Sequence, residues 1–137
     1  MKHTKLKAAM AAVGLLASTA AAPAFAHHSI SGQYDFKKPV ELKAVLEKIE
    51  FINPHSMAHF IVTNPNGTTT KWTFQTQAAA TLRRSGLARS GPGSLKEGDT
   101  YIVKGFAARN GNPMGFMKSM TFPDGKELTF WFGDPNG

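Results

Sequence analysis

The 137-residue chain has no cysteine. Its absence excludes disulfides, thiolate zinc sites, iron–sulfur clusters, blue-copper centres and cysteine nucleophiles in one step. Long apolar runs are missing as well: the main one, from Ala8 to about Ala22, is rich in Ala and falls short of the ~20 residues a spanning helix needs. No G-x-S-x-G elbow, Walker loop or H-E-x-x-H pair occurs, so no familiar catalytic motif is on offer.

The amino terminus carries an export pattern. Lys2, Lys5 and Lys7 precede the apolar run, and Ala24-Phe25-Ala26 has the A-x-A form that signal peptidase cleaves. Residues 1–26 read as a signal peptide, and the mature chain as a periplasmic protein that begins at His27. Removing three lysines leaves 13 Lys+Arg against nine acids, so the charge falls from +7 to about +4. That excess is too mild to argue for nucleic acid or a membrane surface, and neither nucleic-acid binding nor membrane insertion is expected.

From Pro39 onward the pattern is one of short strands between turns, with residues 27–38 as an N-terminal extension and 39–137 as a single domain. Val40, Leu42, Ala44 and Leu46 alternate strictly, then the phase resumes at Ile49 and Phe51, one residue late near Glu47. A β-bulge produces such a slip and bends the strand. "SMAHFIVT", the "NPNG" turn and "TTTKWTFQ" complete a three-stranded meander with Thr70, Trp72 and Phe74 on one face. Good helix formers over 76–86 with Gly86 at the end predict a short helix. "TYIVKGFAA", "MGFMKSMTF" and "ELTFWF" supply a fourth, a fifth and a sixth strand. Three strands, a helix and two more strands, with a bulge in the first, is the order of an OB-fold, so the expected class is all-β with one short helix, as a small antiparallel OB-like barrel.

"AHHS", "YD" at 34–35, "NPH" at 53–55, the Trp-x-Phe strand at 72–74, "LKEGD" and a late "MG" before "PDG" resemble a family of small exported bacterial proteins of unknown function. The resemblance implies export and the fold. It implies no substrate.

The mature chain has four histidines, His27, His28, His55 and His59. Cleavage after Ala26 would give His27 a free α-amino group beside its imidazole, a bidentate chelate that forms half of a histidine brace. Amine and imidazole have ordinary pKa values of roughly 7.7–8.0 and 6.5, so copper(II) can displace both protons near neutral pH. Nitrogen donors also favour copper(II) over other divalent ions. His55, after Asn53-Pro54, is the favoured third ligand. His59 lies four residues on, and in a strand at ~3.3 Å per residue that is some 13 Å away.

Met114, Met117 and Met120 recur every three residues. On a regular strand Met117 faces away from the other two, so only Met114, beside the "NGNP" turn, is kept as a soft axial ligand. Arg83, Arg84, Arg89 and Lys96 with Trp72 and Phe74 could suggest a single-strand nucleic-acid groove, but arginines that end a helix suit its dipole, and the two aromatics read as core. Asp35 could orient a histidine from behind. The expected function is copper handling in the periplasm, with a metal donor or acceptor, or another periplasmic protein, as partner. A metal-free binding module for a protein or small molecule is the alternative.

Overall fold

The computed structural model describes residues 30–133. The chain divides into two compact units, Met1–Ser31 and Gly32–Gly137. Of the first, only Ile30 and Ser31 are described, both helical. The export segment, His27 and His28 lie outside the described residues.

The second unit is a mostly antiparallel sheet that closes on itself. Its elements are β1 (Tyr34–Glu50), β2 (Met57–Thr63), β3 (Thr69–Gln75), the helix α1 (Ala79–Arg84), β4 (Thr100–Ala108), β5 (Met114–Thr121) and β6 (Glu127–Thr129). Strand order is β3-β2-β1-β4-β5-β6, and a parallel β3–β5 pairing closes the first five strands into a ring that leaves β6 on the far side of β5. β1 serves two neighbours, pairing with β4 from Tyr34 to Val45 and with β2 from Val45 to Glu50. The register slips between Leu46 and Lys48, so Glu47 is the extra residue that turns the strand between partners. Ala44 and Leu46 are buried inside the ring, with Val40, Leu42 and Ile49 packed against the same core.

The helix ends by geometry the sequence specifies. Gly86 takes φ +104°, Leu87 N–H donates to the Leu82 carbonyl and Gly86 N–H to that of Arg83. This is a Schellman closure, and Leu82 and Leu87 are both buried beneath it.

Four expectations are corrected. The first strand starts at Tyr34, not Pro39: Tyr34 pairs with Ala108 and Pro39 with Phe106, so the residues between them bulge out as part of β1 rather than forming a free extension. Burial of the Tyr34 ring against Phe116, with centroids 5.9 Å apart, anchors that start. Phe51 does not continue the inward face. β1 stops at Glu50, and Phe51 and Ile52 are about half exposed. The sixth strand stops at Thr129 because Phe130 and Trp131 both donate to the carbonyl of Lys118 instead of continuing a ladder. Finally, Met117 and Met120 share the core, since Lys104 pairs with Ser119 and Gly105 with Met117, leaving Lys118 as an extra residue that resets the alternation.

A second apolar cluster sits apart from this core. Phe36 stacks on Trp131 at 5.2 Å and 10°, and Trp131 meets Phe106 and Phe116 edge-on. β4 and β5 approach closely here. A Cβ on Gly105 would stand 2.1 Å from the Phe116 carbonyl oxygen, and one on Gly115 would stand 2.4 Å from the Phe74 ring.

Candidate functional site

The turn from Phe51 to Ser56 joins β1 to β2 and meets the end of β3. Regular pairing runs from Thr63↔Thr69 to Met57↔Gln75 and would next set Ser56 against Thr76. It does so only in part. Thr76 N–H donates to the Ser56 carbonyl at 2.9 Å, but Ser56 N–H reaches past Thr76 to the carbonyl of Gln77 at 3.2 Å. Two residues of one strand therefore face one of the other, as in a bulge, and the Thr76 carbonyl loses its ladder donor.

His55 takes that place. Its Nδ1 lies 3.3 Å from the Thr76 oxygen. A carbonyl only accepts, so the contact puts a proton on Nδ1 and leaves the Nε2 lone pair of the neutral ring as the ligating atom. Backbone carbonyls orient metal-binding histidines in this way. Among the described residues no hydrogen bond to Nε2 occurs, and the side chain is half-buried.

His59 is used differently. It sits within β2 and spans two neighbours, with Nε2 2.9 Å from Glu50 Oε2 and Nδ1 3.1 Å from Thr73 Oγ1. The carboxylate accepts from Nε2–H, while the Thr73 hydroxyl donates to Nδ1. Both ring nitrogens are engaged, so binding a metal would break two hydrogen bonds. The Lys48 ammonium at 2.8 Å, then the His59 ring, hold the Glu50 carboxyl below the usual carboxylate range.

The remaining candidates fall elsewhere. Met114 begins β5 opposite Thr73, half-buried and three pairs of residues from the level of Thr76 along β3. Asp35 faces Arg109, with 3.9 Å between Oδ1 and Nη1. Among the described residues no three His, Cys, Asp or Glu side chains are grouped so as to hold a metal ion. A copper site at His55 would therefore need donors from beyond them, with His55 Nε2 as the one imidazole nitrogen this turn offers.

Two features at the turn had little signal in the sequence. Ser56 and Thr76 are buried, and among the described residues their hydroxyls have no hydrogen-bond partner; neither residue type announces burial. Tyr34 also donates its hydroxyl to Gln75 Oε1 at 3.0 Å, pinning the start of β1 one residue away from Thr76. The "YD" at 34–35 was legible only as a motif.

Elsewhere, a cleft of about 390 Å³ is lined by Pro39, Val40, Glu41, Lys104, Phe106 and Lys118. It opens between the irregular part of β1 and the extra residue of β5. Among the described residues no helix is long and apolar enough to cross a membrane. The chain belongs to DUF6152, a family of unknown function whose model matches residues 14–118. No curated protein and no solved structure matches it significantly.

Proposed function

We propose that this member of DUF6152 is an exported periplasmic protein that binds copper(II) through the amine and imidazole of a mature N-terminal His27 and through Nε2 of His55, and that it serves in metal handling. The observation that carries the reading is the His55 ring: its Nδ1–H is committed to the Thr76 carbonyl and its Nε2 is left for a ligand. Chain length permits the partnership. His27 precedes Tyr34 by seven positions. Helical residues 30–33 take up roughly 1.5 Å each and the remaining three at most ~3.6 Å each, which bounds the reach of His27 at about 17 Å from Tyr34, itself pinned beside Thr76 through Gln75. Bound copper(II) would act here as cargo held by nitrogen donors. His28, His59 and Met114 stay secondary, His59 because both its nitrogens are engaged.

The same reading takes the closed sheet as an OB-fold. The ring order β1-β2-β3-β5-β4, the parallel β3–β5 closure and the helix between β3 and β4 support it. The test is a copper(II) titration of protein isolated from the periplasm, whose intact mass should begin at His27. Tight binding that His55→Ala weakens supports the site. A mass that begins at Ser29 or later, or affinity unchanged by His55→Ala, removes it.

A metal-free binding module is favoured by one observation, the cleft over Phe106 with Lys104 and Lys118 at its rim. Protein that gains no metal from the periplasm would turn attention there.

A further inference from the structure

Ser56 and Thr76 lie one step past the last regular pair of the β2–β3 ladder, Met57↔Gln75, joined by Thr76 N–H to the Ser56 carbonyl, just behind His55. Ser56 is 0% and Thr76 1% exposed, and neither hydroxyl has a hydrogen-bond partner among the described residues. Leaving two such groups unpaired in a core costs their full desolvation, so a folded protein finds them partners. Alternation places both on the inward face, in line with Ala58 and Phe74 of the next inward pair, which are fully buried. Directly opposite residues have Cβ atoms roughly 4.5–5.5 Å apart. Two hydroxyls at that spacing can share one molecule that both donates and accepts.

We infer that Ser56 Oγ and Thr76 Oγ1 hold a buried water molecule that bridges them, a solvent site built into the closed side of the His55 turn. Water suits the position because it can accept from one hydroxyl and donate to the other, and a buried water commonly makes about three such bonds. The role is to position the turn. It holds whether or not His55 binds copper.

The direct test is a crystal structure of the mature protein at a resolution that shows ordered solvent, joined to solution NMR on the same protein without metal. A peak within hydrogen-bond distance of both oxygens, with long-lived water cross-peaks to the Ser56 and Thr76 amides, is the expected result. Thr76→Val keeps the shape and should abolish those cross-peaks and lower the urea midpoint. The double variant Ser56→Ala/Thr76→Val should lose no more than the single one, since no unpaired hydroxyl remains. Direct contact between the hydroxyls, partners supplied by another protein group, or cross-peaks that persist in Thr76→Val would overturn the water site. Copper titration of the same variants separates this inference from the metal reading, because a bridging water can be present in a protein that binds no copper.

Discussion

The seam where β4 passes between β1 and β5 and the turn that joins β1 to β2 are built on opposite terms. At the seam the backbones touch. Gly105 and Gly115 leave no room for a Cβ, the Lys118 carbonyl accepts from both Phe130 and Trp131, and four aromatic rings cover the outer side. At the turn the ladder is interrupted, Phe51 and Ile52 are about half exposed, and one histidine nitrogen keeps an open lone pair. Both regions contain a bulge. The seam uses its extra residue to satisfy neighbouring backbone, while the bulge at Thr76 and Gln77 releases a carbonyl that then orients a side chain. Irregular pairing alone therefore does not mark a site. What marks one is a group left able to bind something else.

The largest expected effect separates the regions by stability. Gly105→Ala forces a methyl group into the Phe116 carbonyl, a backbone group that cannot rotate away, and should cost about 3 kcal/mol, at the upper end for overpacking. Phe51→Ser in the turn should change the unfolding free energy from urea melts by less than about 0.5 kcal/mol, as exposed substitutions do. Equal losses in the two variants would break the comparison.

Next comes the contrast between the two histidines. His55→Ala should weaken copper(II) binding by about tenfold or more, on the scale of losing even a supporting residue of a metal site. His59→Ala should leave copper affinity within about threefold, well under the 1.4 kcal/mol of a tenfold change. It should instead lower stability by about 1 kcal/mol, because it removes hydrogen bonds to Thr73 and Glu50. Isothermal titration and urea melts on the same two proteins give both readouts, and a reversed pattern would assign the site to His59.

The smallest effect is on pH dependence. Glu50 is held low by Lys48 and His59, and Glu127 by the Ser119 hydroxyl and then Lys104. A carboxyl whose pKa is lower folded than unfolded contributes fully above its unfolded value and loses the contribution as pH falls through the folded one. The unfolding free energy should therefore decline below about pH 4.3, the ordinary Glu value, and Glu127→Gln should reduce that decline by less than about 1 kcal/mol, since its pair with Lys104 is solvated. A decline as steep in Glu127→Gln as in the parent would contradict this.

Much of the frame was readable in advance. The slip near Glu47, the "NPNG" hairpin and the Gly86 helix stop are local signals, carried by residues that themselves adopt the geometry. The bulge at Lys118 was not readable, because a lysine at an exposed position fits either phase of the strand and the carbonyl demand comes from Phe130 and Trp131, which are distant in sequence. The start of β1 was missed for a related reason: Asp35, Lys37, Lys38 and Pro39 look like a polar extension, and only the Tyr34 contacts to Phe116 and Gln75 draw them into the sheet. At the site, spacing separated His55 from His59. The freed Thr76 carbonyl and the buried hydroxyls of Ser56 and Thr76 depend on which residue Ser56 N–H reaches, and no sequence pattern encodes that choice.

The most direct measurement compares copper(II) affinity for the mature chain beginning at His27 with that of the same chain bearing an added N-terminal methionine. Both proteins carry every imidazole, and they differ only in whether a free amine stands beside the His27 ring. An N-terminal amine–imidazole chelate predicts that the extended form binds at least about a hundredfold more weakly, a difference of about 2.8 kcal/mol. Equal affinity for the two proteins would contradict the account.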